Sequence, residues 1–178
     1  ESIGRKQVKM EQSRRTPENE GVVRKAGLRG ILFDKDGTLF DYHGTWTPIL
    51  RDAAEVVARG RRALVPDMLA AIGYDEGKGR FAAGSIAGAG DTFGLADAWL
   101  AIAGGWERAA LITELDGIFA REAPLRSLPV TGLADFFAGL KAKGFFLGIA
   151  TNDVAASARA TGARFGFAAS LDFSAGYD

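Results

Sequence analysis

The chain has 178 residues, which is enough for one domain or for one domain with an insert. Its composition is 47% apolar and 25% charged, with 22 basic and 22 acidic residues, so it can form a core and gives no support to a nucleic-acid or membrane-surface role. Cysteine is absent and His43 is the single histidine, which excludes disulfides, thiol catalysis, histidine metal clusters and serine–histidine triads.

The N-terminal segment, residues 1–29, is polar and contains eight basic and four acidic residues. Its acidic residues argue against a mitochondrial transit peptide, and it contains no apolar segment typical of a signal peptide. Two interpretations stay open: a solvated, poorly ordered extension, which we favour, and a basic tail that binds an acidic partner. No apolar run approaches transmembrane length, so we expect a soluble, cytoplasmic protein without a membrane partner.

The apolar run at 31–33 predicts a core strand, and it leads directly into Asp34-Lys35-Asp36-Gly37-Thr38. Because side chains alternate along a strand, Asp34 and Asp36 are predicted to point to the same side. The following turn lets both carboxylates face one pocket at the strand's carboxyl end, where open α/β sheets bind ligands. One carboxylate can then attack as a nucleophile while the other carries a proton.

This pentapeptide has two other interpretations in principle. A calcium loop of the EF-hand type that starts at Asp34 would need its glycine at Leu39 and its glutamate at Thr45, so the sequence excludes it. An exposed Asp-Gly turn without any chemistry stays open.

A series of helices is predicted between residues 46 and 125. Thr47-Pro48 offers an N-cap and a first-turn proline for the first helix, which ends before Gly60. Pro66 opens a second helix, Asp91 caps a third, and residues 106–121 form a fourth. The segment 74–81 is a loop or a short hairpin. The three tryptophans of this block are predicted to lie in its core: Trp46, Trp99 and Trp106.

An α/β pattern returns after Pro129. Apolar residues at helical spacing predict a helix over 133–140 that ends before Gly144. The continuous apolar run at 145–150 predicts a parallel strand that is buried on both faces. A weaker helix over 154–165 and a third strand over 171–175 complete the pattern.

The second strand ends at Thr151-Asn152-Asp153. A phosphoryl group needs hydrogen-bond donors for its charged oxygens, and the Thr151 hydroxyl and Asn152 amide could supply them. The alternative is that Thr151 caps the following helix, a role that Asp153 could also fill.

The two motifs together resemble those of the haloacid dehalogenase-like hydrolase superfamily, whose first motif is Asp-x-Asp-x-Thr after an apolar strand. Residues 34–41, and the shorter segments Tyr74-Asp75, Gly79-Arg80-Phe81 and 175–178, resemble phosphoglycolate-phosphatase-like members. The resemblance implies an α/β fold with a Rossmann-like three-layer core around a parallel sheet. Residues 30–45 and 126–178 would form this core, and residues 46–125 a helical cap inserted after the first strand.

The resemblance also implies an Mg²⁺-dependent phosphomonoester hydrolase that acts on a small organic phosphate. Asp34 would form an aspartyl-phosphate, and Asp36 would protonate the leaving oxygen and then deprotonate water. Thr151 and Asn152 would bind the phosphoryl group, while the Asp34 carboxylate and Asp36 carbonyl would bind Mg²⁺. Two alternatives stay open: a phosphomutase on the same scaffold, or a catalytically incompetent domain that binds a phosphorylated ligand or a protein. Three cap residues are candidate substrate contacts or solvated charges: Arg51, Lys78 and Arg80.

Two further motifs of the superfamily are not found before Asp178: a lysine after the third strand and an acidic pair after the fourth. Lys141 and Lys143 precede the second motif, so neither corresponds to that lysine. We therefore expect the 178 residues to be a truncated view of a longer hydrolase, with the first strand at an exposed edge of the sheet.

Overall fold

The computed structural model describes residue 27 and residues 29–178. The predicted polar extension, residues 1–29, therefore lies almost entirely outside the described residues. Within the described part of the chain, no helix is both long enough and apolar enough to cross a membrane.

Three parallel strands form the central sheet in the order β1-β4-β5. They span Gly30–Phe33, Phe146–Ala150 and Phe173–Ala175. Phe33 pairs with Ile149, and Ala150 pairs with Ala175, so the carboxyl ends of all three strands lie side by side. The residues that follow the three strands therefore lie together at the carboxyl end of the sheet. The predicted α/β class and parallel sheet are confirmed.

Helices α6 (Leu133–Ala142) and α7 (Ala155–Arg164) pack beside this sheet, followed by a 3-10 turn at Ala168–Ser170. Phe137 stacks on Phe167 with their ring centroids 4.9 Å apart. As predicted, α6 ends just before Gly144, whose positive φ of 83° suits the residue after a helix. The buried core of this part is a single apolar cluster: Leu39, Phe40, Leu133, Phe137, Leu147, Ile149 and Phe167.

Five helices and a hairpin lie between β1 and α6. They are α1 (Tyr42–Ala58), α2 (Val65–Ala71), β2 (Tyr74–Asp75), β3 (Arg80–Phe81), α3 (Ile86–Ala89), α4 (Thr92–Ala103) and α5 (Arg108–Arg126). They share a second buried apolar cluster that is separate from the first. Trp46 and Trp99 are buried in it and Trp106 packs partly buried against it, in agreement with the prediction.

The predicted start of the first helix was wrong. The helix begins at Tyr42, not after Thr47, because the Asp41 carboxylate accepts a hydrogen bond from Gly44 N (3.1 Å) and satisfies an amide of the first turn. Pro48 therefore lies inside the helix, where it cannot donate a backbone hydrogen bond and destabilises the helix locally. Burial of Ile49 and the apolar residues around it outweighs that local cost.

Other secondary-structure elements also differ from those predicted from the sequence. Helix α5 runs five residues beyond the predicted end at Arg121 and includes Pro124. Helix α3, capped by the Ser85 hydroxyl, was not predicted. In β4 only residues 147–149 are buried, whereas Phe146 is 56% exposed, so burial on both faces holds for the centre of the strand alone.

Helix α1 crosses the predicted boundary at residue 45/46, and α5 crosses the one at 125/126. We propose that the two apolar clusters mark the core and the cap, and that these two helices connect them.

Candidate functional site

A cavity of about 410 Å³ lies between the carboxyl ends of the central strands and helices α1, α3, α4 and α5. All four predicted site residues line it: Asp34, Asp36, Thr151 and Asn152. The structure thus brings together two motifs that lie more than a hundred residues apart in the sequence. This volume falls within the range of small-molecule sites, roughly 300–1,000 Å³.

Asp34 is exposed to the cavity at the end of β1. The Thr38 hydroxyl donates a hydrogen bond to Asp34 Oδ2 at 3.2 Å. Gly37, with a positive φ of 88°, makes the tight turn that brings Thr38 back toward the aspartate. The Asp-Gly-Thr sequence therefore orients the carboxylate as well as ending the strand.

Thr151 is 8% exposed, and its Oγ1 accepts a hydrogen bond from Asp153 N at 3.2 Å. The hydroxyl hydrogen can therefore point elsewhere, because a hydroxyl accepts and donates at once. The alternative role of Thr151 as a helix cap is not observed. Asp153 Oδ1 accepts from Val154 N, and Asp178 Oδ1 accepts from Ala155 N, at the start of α7.

Two hydrogen bonds join the strand ends to the helices across the cavity. Asn152 Nδ2 donates to the carbonyl oxygen of Ala89 at 3.0 Å. The Tyr177 hydroxyl donates to the carboxylate of Asp116 on α5, at 2.8 and 2.9 Å from its two oxygens. Burial raises the pKa of Tyr177 to about 12, so the phenol remains a donor at neutral pH. These contacts connect the helices to the strand ends on both sides of the cavity.

Lys35 is the residue of the first motif that the sequence analysis did not assign. Its side chain is fully buried, and Nζ lies 2.7 Å from Asp36 Oδ2 and 3.0 Å from Asp153 Oδ2. These are ion pairs by distance, although their angles depart from hydrogen-bond geometry. Nζ also lies 5.5 Å from the centroid of the Trp46 ring, within cation–π range. Lys35 thus links the two motif loops beneath the cavity.

Burial and the neighbouring charges shift the pKa of Lys35 in opposite directions. Burial alone would lower the pKa of Lys35, but the carboxylates of Asp36 and Asp153 outweigh it and raise that pKa above its ordinary value. Burial raises the pKa of Asp153, and the neighbouring ammonium works against that rise. We take Lys35 to be charged, because two carboxylates lie within 3.0 Å of one ammonium.

The other candidate substrate contacts do not line the cavity. The Arg51 guanidinium lies 5.6 Å from the centroid of the Tyr74 ring. Lys78 pairs with Asp75 at 2.8 Å, and both are exposed. Lys78, Arg80 and His43 instead line a neighbouring depression. Their predicted role as substrate contacts therefore finds no support from their positions.

The described residues contain no group of three or more acidic, histidine or cysteine side chains placed to bind a metal. Asp34 and Asp36 nevertheless offer oxygen ligands at one end of the cavity. Mg²⁺ is commonly bound by one or two carboxylates, with waters and substrate phosphate completing its shell. The available donors fit that pattern.

Four further titratable residues line the cavity, although the sequence patterns did not assign them to a site: Tyr42, Asp91, Asp153 and Tyr177. Asp91 was predicted only as a cap, and its carboxylate does accept from Gly94 N. Asp153 was considered only as a possible helix cap. The one sequence signal for the pairing of Asp153 with Lys35 was the position of that lysine, between two aspartates and directly after an apolar strand. A charge at such a position needs a partner.

Gly176 follows β5 and lines the cavity floor. A Cβ on this residue would lie 2.2 Å from Ala155 N and 2.6 Å from the Asp153 carbonyl oxygen, and backbone atoms cannot easily move away. We expect Gly176→Ala to lower the free energy of unfolding by about 1–3 kcal/mol. Gly139→Ala is the control, because that exposed site on α6 is open and alanine favours helix by roughly 0.5–1 kcal/mol. Urea denaturation of both variants measures the difference, and equal stability of the two would contradict it.

The solved structures to which this chain is similar include the next two proteins. One is a "putative phosphoglycolate phosphatase" from Lactobacillus delbrueckii subsp. bulgaricus, at 20% identity and a TM-score of 0.47 over 84% of this chain and 65% of that chain. The other is an L-2-haloacid dehalogenase from Xanthobacter autotrophicus, at 20% identity and a TM-score of 0.42 over 84% of this chain and 57% of that chain. The chain thus spans between 57% and 65% of their length.

No curated protein matches the chain significantly. A family model of haloacid dehalogenase-like hydrolases, in contrast, matches residues 28–178. This match includes both motif loops, the sheet that brings them together and the helices that cover them. The α/β sheet and its helices are consistent with the Rossmann-like core of that family. The chain belongs to the haloacid dehalogenase-like hydrolases.

Proposed function

We propose that the protein containing this chain is an Mg²⁺-dependent phosphomonoester hydrolase that acts on a small organic phosphate, with site residues like those of phosphoglycolate phosphatases. The observation that carries this proposal is the convergence of Asp34, Asp36, Thr151 and Asn152 on one cavity at the carboxyl ends of adjacent parallel strands. A cytoplasmic location stays a prediction.

In the proposed first step, an Asp34 carboxylate oxygen attacks phosphorus and the bond from phosphorus to the leaving oxygen breaks. For this step Asp36 must be in its protonated form and not the carboxylate that pairs with Lys35. It gives its proton to that oxygen, so an alcohol departs and Asp34 carries the phosphoryl group. In the second step, Asp36 takes a proton from water, the resulting hydroxide attacks phosphorus, and the bond to Asp34 breaks. Thr38 supports this assignment because its hydrogen bond orients the Asp34 carboxylate.

The phosphoryl oxygens need donors in both steps. The Thr151 hydroxyl can supply one, because its oxygen already accepts from Asp153 N and its hydrogen is free to turn. Asn152 uses one amide hydrogen on Ala89 and retains a second. We propose that these two residues hold the transferred group between attack and hydrolysis.

The negative charge of the cavity supports the proposal that a bound cation takes part. Four carboxylates line it, on Asp34, Asp36, Asp91 and Asp153. Lys35 lies buried beneath them, and no other basic side chain of the described residues lines the cavity. A phosphate dianion would be repelled here unless a cation offset that charge. The Asp34 carboxylate and Asp36 carbonyl would hold Mg²⁺, which when bound neutralises phosphoryl charge.

We expect phosphate release from a small phosphomonoester to stop on chelation with EDTA and to return when Mg²⁺ is added in excess. The protein should be expressed from the full reading frame that contains these residues and assayed with p-nitrophenyl phosphate. Product analysis with sugar monophosphates separates hydrolysis from a mutase, which would move the phosphoryl group to another hydroxyl. Absence of turnover with every phosphomonoester in the presence of Mg²⁺ would favour a ligand-binding domain instead.

A further inference from the structure

We propose that the substrates are phosphate esters of uncharged, largely apolar alcohols, and not esters whose leaving group carries a carboxylate. This inference rests on the proposed function and specifies the leaving group. It comes from the wall of the cavity opposite the strand ends, where the leaving group of a phosphoryl transfer to Asp34 would lie.

This opposite wall is made mainly of carbon. Trp46 and Leu50 of α1, Ile86 of α3, Leu95 of α4 and Phe119 of α5 all line the cavity. Trp46 and Phe119 pack edge to face, with ring centroids 5.3 Å apart and planes at 79°. Side chains from four different helices therefore form one apolar surface, and it favours a leaving group that can bury carbon against it.

Two of the polar side chains on this wall have partners within the protein. The Tyr42 hydroxyl donates to the Ala87 carbonyl oxygen, and burial raises the pKa of Tyr42, so the phenol stays neutral and bonded. The Asp91 carboxylate accepts from Gly94 N at 3.0 Å. The Trp46 indole nitrogen is buried and has no hydrogen-bond partner among the described residues, but its N–H is neutral and cannot balance the charge of a carboxylate. These groups therefore offer no positive charge to a carboxylate of the substrate.

The backbone of the short helix α3 is equally occupied. Ala87 N donates to the Ile72 carbonyl oxygen, and Ala89 N donates to that of Ser85. Gly88 N donates to the Ser85 hydroxyl, and Gly90 N to the Ile86 carbonyl oxygen. The amides at 87–90 are thus all used within the protein, and they leave no anion-binding N–H at this part of the wall.

A carboxylate on the leaving group would therefore lose its hydration without gaining a partner. Among the described lining residues there is no lysine, arginine or histidine, and Asp91 would repel it. A glycolate leaving group carries such a carboxylate. An apolar group of similar size loses only water that is weakly held. The cavity, at about 410 Å³, must also hold the phosphoryl group, and the remaining space is enough for a leaving group of one or two rings.

Benzyl phosphate and phosphoglycolate test the inference, because both are alkyl esters and their leaving oxygens have similar basicity. With the full-reading-frame protein and Mg²⁺, we expect kcat/KM to be at least about tenfold higher for benzyl phosphate. Equal values, or a preference for phosphoglycolate, would overturn the inference and leave the proposed hydrolase intact. Turnover of neither ester, nor of p-nitrophenyl phosphate, would overturn the proposed function itself.

Ile86→Lys provides a reversal test, with Ile86→Met as the uncharged control of similar length. Ile86 is only partly buried on the cavity wall, so a longer side chain can be accommodated there. We expect the lysine to shift the kcat/KM ratio toward phosphoglycolate by about tenfold or more, and the methionine to leave the benzyl preference in place. An unchanged ratio in a folded Ile86→Lys variant would contradict our placement of the leaving group. If that variant does not fold, the ratio in the unaltered protein still decides.

Discussion

Asp34→Asn is expected to lower the rate of Mg²⁺-dependent phosphate release by roughly a thousandfold or more, because it removes the attacking oxyanion without changing the size of the side chain. The amide oxygen of the introduced asparagine would still accept the hydrogen bond from Thr38, so the turn that follows β1 should be retained. Asp34 is exposed, and its replacement leaves no buried group without a partner. The free energy of unfolding should therefore change little while turnover is lost.

Two further variants make this result specific. Asp52→Asn makes the same chemical change at an exposed carboxylate of α1 that pairs with Arg126 and does not line the cavity, and it should retain activity. Asp36→Asn should slow both steps while leaving Asp34 able to react, so that a phosphoenzyme becomes detectable by acid trapping of labelled phosphate. Wild-type turnover by Asp34→Asn would remove it as the nucleophile, and unchanged turnover by Asp36→Asn would remove the acid–base role.

The sequence predicted the central sheet well, because its signals are local and strong. An apolar run that ends in charged or polar residues defines β1 and β4, and glycines such as Gly144 mark the ends of helices. Parallel strands place their carboxyl ends together, so the meeting of Asp34 with Thr151 followed from strand order alone.

The helices over the cavity were predicted less accurately. The Asp41 side chain begins α1, although Thr47-Pro48 carries the stronger local signal. Local preference at one end of a helix is worth about 1 kcal/mol, whereas burial of its apolar face is worth several times more. The boundaries of these helices depend on packing between segments that are far apart in sequence. The same packing places Trp46 both in the buried apolar cluster and in the cavity wall.

The sequence also could not predict which residues the Lys35 side chain contacts. Period-2 alternation places it opposite Asp34, and nothing local shows which residue it meets there. Its partner Asp153 is more than a hundred residues away and comes from the loop after the other motif strand. A buried charge predicts that some partner exists but does not identify it.

Lys35→Met is expected to lower the free energy of unfolding by about 3–5 kcal/mol, the usual cost of removing one partner from a buried ion pair. Methionine has a similar length and keeps the apolar stem packed, so the loss comes mainly from charge. Burial already raises the pKa of Asp153, whose side chain is 2% exposed, so without Lys35 the carboxylate must either stay ionised and unpaired or take up a proton, and both cost free energy. Urea denaturation at neutral pH, with the slope m checked for constancy, measures the change. Lys78→Met, which removes one partner of the exposed pair with Asp75, should have little effect.

A double-mutant cycle separates the buried charge from a general loss of packing. Asp153→Asn removes the carboxylate charge and keeps an oxygen that can accept from Val154 N. If the unpaired carboxylate is the cause, Lys35→Met combined with Asp153→Asn should be more stable than Lys35→Met alone, although it carries two changes. The expected coupling is about 0.5–3 kcal/mol. Destabilisation equal to the sum of the two single variants would mean that the ion pair between Lys35 and Asp153 contributes nothing net, and that Lys35 acts through its contacts with Asp36 and Trp46.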